Sequence, residues 1–345
     1  MSLKAAREAA GLAIAKVAKG IDPIKERQDA ARVAIRNRRS VRDVAVDAFE
    51  SRKAELKGDG QAGRWFSPLE LHVLPKLGSV PMADITAQDV RDCLKPIWHA
   101  KAPTALKALE RLGIVLKHGA ALGLDVDMQA IAKARQLLGV QRHVTTSLNA
   151  MPWQDVPLFY QSLDAGTPTE LALRLTILTG LRSTPIRMAR LDQFSDGIWI
   201  VPAENMKGRV GRATEFRVPL TQEMLSVVAE ASPFARDGFL FPSRAGSTCS
   251  VISDNTLSKY MRDREIAATP HGFRSSLRDW IAETQVGTPH EVAEMVISHG
   301  TDSKVVRAYR RTDFLEQRRR LMELWSDHCL GLGSASIHPI LKTGT

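Results

Sequence analysis

Tyr309 stands between Arg307 and the pair Arg310 and Arg311, in the segment VVRAYRRTDF near the end of a chain of 345 residues. Only three tyrosines occur in the whole sequence. A phenol among guanidinium groups gains little burial and lies in a positive field that favours contact with an anion. The segment therefore indicates either a surface hydrogen bond or a nucleophile that meets a phosphate.

A second candidate is the arginine of LTGLRSTPIRMARL, where Gly180 ends a helix and Arg182 lies in the turn. Thr184 and Pro185 are predicted to be the N-cap and the first residue of the next helix. A tight turn between helices holds an arginine side chain in one direction. Taken alone, the segment favours an arginine that caps helix carbonyl groups.

A third candidate is PHGFRSSLRDW, in which His271 and Arg274 are three residues apart and would share one face of a helix. A neighbouring guanidinium disfavours protonation of an imidazole, which leaves a neutral base beside an anion-binding group. Trp280 and Ile281 predict that the opposite face of this helix is buried. A solvated helix start explains the segment about equally well.

Two more candidates complete the set. His299 lies at a predicted helix end, ten residues before Tyr309, and Lys207 lies near the tip of a predicted β-hairpin in AENMKGRVGRATEF. A lysine on a surface hairpin has no special meaning by itself. Its position between Arg182 and His271 in the chain matters only when the candidates are taken together.

The overall charge favours a polyanion as partner. The sequence has 48 Lys and Arg against 38 Asp and Glu, a formal net charge of +10, which suits nucleic acid because each neutralised phosphate releases counterions. An acidic membrane surface would fit on charge alone. However, apolar runs such as LGIVL are far shorter than the roughly 18 residues of a membrane span, and the N-terminus does not resemble a signal peptide. We expect a cytoplasmic, nucleoid-associated protein without membrane contact.

The cysteines argue against metal or disulfide chemistry. Cys93, Cys249 and Cys329 are far apart, and the sequence has no CxxC or Cys/His cluster. This usage is typical of reduced thiols in a cytosolic protein. We therefore expect no metal and no cofactor.

The elements that must position these candidates are mostly helical. A helix that stops at Gly20 and a second after Pro23 are predicted within residues 3–38, and four amphipathic helices over 41–123 predict a small bundle, with Thr86 as one N-cap. Residues 125–150 lack a strong pattern. From Trp153 onward, helices alternate with the hairpin strands GIWIVPAENMK and EFRVPL and with a short buried strand, GFLFPS. The predicted fold class is mainly α with a small β-sheet.

The order of the motifs resembles the tyrosine recombinase (phage integrase) family, and its prophage and genomic-island subgroup in particular. That family has an arginine in a turn after Thr-Gly, a His-x-x-Arg helix, a small residue before a histidine, and a C-terminal tyrosine. The same order is met here by Arg182, His271, Arg274, His299 and Tyr309. The hairpin WIVPAENMKGR…FRVPL and the helix RAYRRTDFLEQRRRLMELWSDH also resemble the subgroup, so the resemblance covers nearly the whole chain.

The resemblance implies a SAM-like helical core-binding bundle followed by an α+β catalytic domain, which would clamp opposite faces of a duplex. The implied divisions are a helical remnant of an N-terminal arm-binding region (1–38), the core DNA-binding domain (39–124), a linker (125–150), the catalytic domain (151–330) and a tail (331–345). Most of the arm-binding region of the subgroup is thus expected to be missing.

The activity implied by the resemblance is DNA integration or excision through a 3′-phosphotyrosine. The implied catalytic residues are Arg182, Lys207, His271, Arg274, His299 and Tyr309. The two arginines would clamp the phosphate, and the lysine would protonate the 5′-oxygen. His271 would accept or hold a proton near the nucleophile, and His299 would hydrogen-bond the phosphate. The residues expected to contact DNA are Arg307, Arg310, Arg311, Arg209 and Arg212.

The implied partners are double-stranded attachment sites, other copies of the chain in a tetramer, and a directionality factor or host DNA-bending protein. The C-terminal helix carries an apolar stripe of Phe314, Leu321, Leu324 and Trp325. This stripe would pack on its own domain or dock on a neighbouring protomer, and the sequence favours neither.

One departure from the family pattern bears on activity. The family usually has an acidic residue three positions after the first arginine, and here that position is Pro185, so another acid such as Asp192 would have to substitute. The departure keeps open a catalytically silenced DNA-binding regulator with the same fold. A type IB topoisomerase-like activity would use the same catalytic residues.

Overall fold

The computed structural model describes residues 2–28, 38–61, 64–142, 149–208, 214–244, 250–299 and 312–332. The chain divides into two compact units, residues 1–145 and 146–345. Helices dominate both, and the second contains a three-stranded sheet, which confirms the predicted fold class. Within the described part of the chain, every helix is too short or too polar to cross a membrane.

The N-terminal helix α1 (Leu3–Ala18) starts at Ser2, whose hydroxyl accepts a hydrogen bond from the amide of Ala5. It ends just before Gly20, which has a left-handed backbone with a φ of 77°. Residues 23–28 are helical again. The break at Gly20 is therefore where the sequence predicts it. None of the α1 side chains is buried.

The first unit is a helical bundle built around one long helix. Its helices after α1 are α2 (Val41–Arg52), α3 (Ser67–His72), α4 (Leu74–Leu77), α5 (Ala87–Trp98), α6 (Ala102–Ala121) and α7 (Ala130–Leu138). Helices α2, α3 and α5 pack on α6. The buried face of α6 follows helical spacing and consists of Ala102, Ala105, Ala108, Leu109, Leu112, Val115, Leu116 and Gly119.

Two capping boxes fix helix starts in this bundle. Ser40 and Asp43 exchange hydrogen bonds at the start of α2, and Thr86 and Asp89 do the same at the start of α5. These bonds lower the pKa of both aspartates, because they favour the ionised carboxylate. The predicted N-cap at Thr86 is confirmed.

The predicted linker contains a helix that the sequence pattern did not indicate. Helix α7 lies within residues 125–150 and packs on α5, with Ala130 and Ala134 buried. The indole Nε1 of Trp98 donates to the carbonyl of Gly139, 3.1 Å away, at the end of this helix. The buried stripe is made of alanines, so it lacks the large apolar side chains on which a periodicity prediction depends.

The second unit surrounds a central helix. Its helices are α8 (Val156–Gln161), α9 (Pro168–Thr179), α10 (Ser183–Arg187), α11 (Gln222–Ala231), α12 (Thr256–Asp263), α13 (Phe273–Thr284), α14 (His290–Val296) and α15 (Leu315–Cys329). Helix α9 is buried on every side and contacts α10, α11, α12, α13 and α15. A helix with buried residues on every face belongs in a core.

The sheet consists of β1 (Phe194–Ser195), β2 (Ile198–Val201) and β3 (Phe216–Pro219), antiparallel and in that order. Ile198 pairs with Pro219, and Val201 pairs with Phe216. The predicted hairpin is therefore present, with the short strand β1 added.

The strand predicted at GFLFPS is wrong. Leu240 and Phe241 are buried as expected, but the segment forms only isolated bridges, from Phe239 to Arg190 and Arg236 and from Pro242 to Val251. A proline has no amide hydrogen to continue a ladder.

Helix α15 packs on its own unit. Its residues Leu321 and Trp325 are buried, and the indole Nε1 of Trp325 donates to the carbonyl of Ile177 in α9, 3.0 Å away. Leu324 keeps 37% of its surface exposed. The apolar stripe was expected either to pack on its own domain or to dock on a neighbouring protomer. Leu321 and Trp325 pack on their own domain.

Candidate active site

The turn that presents Arg182 depends on a glycine. Gly180 ends α9 with a left-handed backbone, φ 59°, and a Cβ there would lie 2.8 Å from Cδ2 of Leu277. Arg182 itself is the N-cap of α10, with extended backbone. The N-cap predicted at Thr184 is therefore wrong, because Ser183 is already helical; Pro185 still lies in the first turn, as proline prefers.

Arg182 is half-buried and is held by a strained turn. Its Nη1 lies 3.3 Å from both the carbonyl oxygen and Oγ of Ser298, and Ser298 has a left-handed φ of 52°. Burial lowers the pKa of Arg182. Asp192, the acid suggested as its partner, is exposed and pairs with Arg190 at 3.5 Å instead.

Arg274 lies in the first turn of α13 with only 5% of its surface exposed. Its Nη1 donates to the carbonyl of Gly180, 2.5 Å away. Burial, and then the positive charge of Arg182, lower its pKa to about 10, although Glu294 acts in the opposite direction. The group is therefore still a cation at neutral pH, fixed in direction and poorly solvated.

His271 precedes α13 in a single helical turn, Pro270–Gly272. The hydroxyl of Thr269 accepts from the amide of Gly272 at 3.1 Å, and the amide of Thr269 donates to the carbonyl of Asn149 at 2.9 Å. A Cβ on Gly272 would lie 2.3 Å from that same carbonyl oxygen. Close backbone packing thus fixes this turn.

The electrostatics of His271 reveal its neighbours. Its pKa is lowered first by partial burial and then by the charges of Arg274, Arg182, Lys207 and His299. The ring is thus neutral at pH 7. Lys207 is exposed and follows β2 in the hairpin connection. The structure therefore brings five of the six predicted catalytic residues into one electrostatic neighbourhood.

The remaining predicted residues lie outside the described part of the chain. They are the candidate nucleophile Tyr309 and the DNA-contacting candidates Arg307, Arg310, Arg311, Arg209 and Arg212.

Two residues beside His299 were not predicted. The carboxylate of Glu294, on α14, lies 2.9 Å from Nδ1 of His299 and accepts from Nε of Arg278 at 2.8 Å. Burial opposes the ionisation of Glu294, but the hydrogen bonds from Arg278 and His299 outweigh it, so its pKa is lowered. The only sequence signal is an acid five residues before the histidine, which is not a spacing along one helix face. The contact arises because the chain turns back after α14, and the amide of His299 donates to the carbonyl of Glu294.

The described residues of the site carry mostly fixed positive charge. Among the described residues, no group of three or more His, Cys, Asp or Glu side chains could hold a metal ion. Two guanidinium groups, a neutral imidazole and a second imidazole held by a carboxylate are suited to bind a phosphate and move a proton near it.

Comparison with known families places both units. A model described as "Phage integrase central domain" matches residues 41–134, and one described as "Phage integrase family" matches residues 151–316. Together they cover most of the chain.

Individual relatives and a solved structure point to the same family as the family models. The chain is 28% identical to "Prophage integrase IntZ" of Escherichia coli K12 over 338 residues, which is 95% of this chain and 80% of the relative. "Integrase" of Enterobacteria phage P4 is 26% identical over 283 residues, 75% of this chain and 63% of the relative. Among solved structures, a lambda integrase tetramer bound to a Holliday junction shares the fold, with a TM-score of 0.62 and 17% identity over 86% of this chain and 88% of the other. The family models, the relatives and the fold agree, and the chain belongs to the phage integrase family of tyrosine recombinases.

Proposed function

We propose that the chain is a site-specific recombinase that cuts and rejoins double-stranded DNA through a 3′-phosphotyrosine, and thereby integrates or excises a mobile element. The observation that carries the proposal is that Arg182 binds Ser298, next to His299, and Arg274 binds Gly180, next to the Arg182 turn. The charges of these residues and of Lys207 also lower the pKa of His271. A buried guanidinium costs free energy unless it is paired, and an incoming phosphate would pair it.

The two arginines serve as the phosphate clamp. Each planar guanidinium matches two oxygens of a phosphate, and Arg274 is already aimed by its bond to Gly180. One charge pair at ~4 Å is worth at most about 4 kcal/mol at an effective dielectric constant of about 20, before desolvation is subtracted. Because negative charge builds up on the phosphorus oxygens in the transition state, the clamp favours that state over the bound substrate.

Tyr309 acts as the nucleophile. With a pKa of about 10, a free tyrosine is only about 0.1% phenolate at neutral pH, so a positive site and a nearby base both help. Its oxygen forms a bond to phosphorus while the bond to the 5′-oxygen breaks. His271, neutral at pH 7, takes the phenol proton, and Lys207 gives a proton to the leaving 5′-oxygen. The phosphotyrosine conserves the bond energy for rejoining.

His299 hydrogen-bonds the same phosphate, and Glu294 orients it. A carboxylate at Nδ1 fixes the ring and leaves Nε2 for the substrate. Because the ionised carboxylate of Glu294 can only accept, Nδ1 of His299 is assigned the proton in this hydrogen bond.

The partners proposed are two attachment sites and other copies of the chain. A tetramer on two duplexes is proposed by analogy with the lambda integrase tetramer on a Holliday junction. A directionality factor or host DNA-bending protein would choose between integration and excision. The proposed domains are 39–124 and 151–330, and within the proposed linker at 125–150 helix α7 packs on the first of them. The nucleoid is the proposed location.

The test is covalent capture of DNA. Nicked duplexes from the two chromosomal junctions of the element that encodes the chain are incubated with the protein and run on a denaturing gel. We expect a protein–DNA band from the wild type that disappears in Tyr309→Phe. The matched control is Tyr260→Phe. The hydroxyl of Tyr260 donates to the carboxylate of Glu170 over 2.6 Å and does not belong to the candidate site. This variant should keep the band. A band that survives in Tyr309→Phe would overturn the assignment of the nucleophile.

A second candidate is a DNA-binding regulator without catalysis. It is favoured by Pro185, which has no side-chain acceptor, together with the pairing of Asp192 with Arg190. Binding to the junction duplexes without any covalent band would favour the regulator. A covalent band without joining of two duplexes would instead indicate topoisomerase-like relaxation.

A further inference from the structure

Arg318 on α15 is a completely buried charged residue that lies outside the candidate active site. None of its side-chain surface is exposed. Its guanidinium lies over the ring of Phe216, with the central carbon 4.8 Å from the ring centre. Burial, opposed by the charge of Asp313, lowers its pKa to about 10, so it remains charged.

The guanidinium makes hydrogen bonds in two directions. Towards the chain before α15, Nε donates to the carbonyl of Asp313 at 2.8 Å and Nη2 to its carboxylate at 3.4 Å. Towards the sheet, Nη1 donates to the carbonyl of Arg217 in β3 at 2.8 Å. The side chain of Arg217 also approaches Asp313, at 3.5 Å. One side chain thus joins two segments about one hundred residues apart.

Each of these segments leads to a proposed catalytic group. Asp313 is four residues after Tyr309, so the two lie within about 14 Å along the chain even when it is fully extended. Phe216 and Arg217 begin the return strand of the hairpin whose connection carries Lys207, and they pair with Val201 and Ile200 of β2.

A structural role alone does not require an arginine here. Replacing a buried ionic group with an apolar side chain of similar volume is often neutral for stability or even favourable. An arginine, however, fixes three acceptors in one plane, which an apolar side chain cannot do. The feature that only arginine supplies is therefore the relative position of the two segments.

We infer that Arg318 is a positioning residue that fixes Asp313, four residues after the proposed nucleophile, relative to β3, the return strand of the hairpin that carries the proposed general acid. This inference rests on the proposed function, in which Tyr309 attacks and Lys207 protonates. It predicts that loss of Arg318 impairs both steps, although the residue touches neither reacting group.

The test uses two substrates that differ in the leaving atom. One nicked duplex has the ordinary 5′-oxygen at the scissile phosphate, and the other has sulfur in its place. When the tyrosine oxygen bonds to phosphorus and the phosphorus–sulfur bond breaks, sulfur leaves with the electron pair as a thiolate. It needs no proton, because a thiol has a pKa near 8.5. Lys207→Ala should therefore be slow on the oxygen substrate and close to wild type on the sulfur substrate.

We expect Arg318→Met to form the covalent band roughly 100-fold more slowly on the oxygen substrate, as a displacement near 1 Å would cause. On the sulfur substrate the loss should shrink to roughly 10-fold, because the defect at the acid is bypassed and the defect at the nucleophile remains. Equal losses on both substrates, or no loss on either, would overturn the inference.

Two further variants keep the test decisive. Asp313→Asn keeps an acceptor at a position that is partly exposed, so the fold should be retained, and it should show a smaller loss with the same preference for sulfur. The matched control is Arg319→Met on the same helix. Arg319 donates to the carbonyl of Gly197, just before β2, at 3.3 Å and pairs with Glu316, so it joins α15 to the sheet without binding Asp313. It should behave as the wild type on both substrates.

The proposed function and this inference fail in different ways. A wild type that forms no covalent band on either substrate overturns the proposed function, and the inference with it. A wild-type band together with Arg318→Met and Asp313→Asn variants that match the wild type overturns the inference alone.

Discussion

The two units bury different kinds of side chain. In the described part of the first unit, the buried residues are apolar apart from glycine. Among the residues of the second unit that the structure describes, four charged ones are buried: Glu170, Arg274, Glu294 and Arg318. Because a buried charge costs several kcal/mol before pairing, its retention indicates a task that an apolar core does not perform.

The four buried charges have different tasks. Arg274 and Glu294 belong to the candidate active site, and Arg318 joins two segments that lead to it. Glu170 is structural: it forms the capping box of α9 with Thr167 and accepts from the hydroxyl of Tyr260. Burial therefore identifies residues that need an explanation, and the contacts decide which explanation applies.

The largest effect is expected where a buried charge acts on the substrate. Arg274→Met should lower the rate of covalent band formation roughly 10²–10³-fold, because one donor to the transition state is lost. The far-ultraviolet circular dichroism spectrum of this variant should remain that of the folded protein. Arg264→Met, which removes an exposed cation from the same unit, is the control and should keep its rate. A fully active Arg274→Met variant would contradict the assignment of a catalytic task to this buried charge of the second unit.

In the first unit, the expected loss is of stability. Leu112→Ala leaves a cavity in the core around α6, which should lower the free energy of unfolding by about 2–5 kcal/mol in urea titrations. Leu71→Ala, at a position that is 64% exposed, should change it by less than about 0.5 kcal/mol. Similar losses in the two variants would contradict the assignment of this core.

Glu170→Gln tests a buried charge without catalytic duty. The pKa of Glu170 is lowered, because hydrogen bonds from Tyr260 and Thr167 outweigh the cost of burial. A lowered folded-state pKa adds stability above the unfolded-state value of about 4.3, and this stability is lost as the pH falls through the folded-state pKa.

We therefore expect Glu170→Gln to destabilise the protein by about 1–3 kcal/mol at pH 7. The difference from wild type should shrink below about pH 4. Urea unfolding at both pH values measures it, with Glu323→Gln on the exposed face of α15 as the control. A penalty independent of pH would mean that the charge of Glu170 contributes nothing.

The smallest effect is expected at a surface cap of the first unit. Thr86→Ala removes the hydroxyl that accepts from the amide of Asp89 and should cost about 1 kcal/mol. Thr86→Ser keeps the hydroxyl and should restore most of the stability, as followed by thermal unfolding. The exposed pair of Thr86 and Asp89 would then contribute less to the free energy of unfolding than the buried hydrogen bonds of Glu170.

Local signals in the sequence predict much of the architecture. The cap at Thr86, the helix end at Gly180 and the hairpin strands each depend on neighbouring residues, and all three are present. The grouping of Arg182 with His271 and Arg274 was expected from motif order and is consistent with their mutual electrostatics.

Contacts between distant segments were not predictable in the same way. Arg318 binds a carbonyl 101 residues away, and no spacing rule connects them. The link from Glu294 to His299 depends on the chain turning back at the left-handed Ser298. Helix α7 was not predicted, because its buried residues are the alanines Ala130 and Ala134. Periodicity detects large apolar side chains on one face, and these cases lack that signal.

The close packing under His271 has a consequence for protein engineering. Besides the bond from Thr269 to Asn149, the hydroxyl of Ser276 donates to the carbonyl of Met151 at 2.5 Å. The polypeptide that comes from the first unit therefore enters the second directly at the support of a proposed catalytic base. A chimera that exchanges the first unit for that of a relative should place its junction before Asn149. A graft that extends to Met151 would replace the backbone that supports the proposed catalytic base together with the first unit.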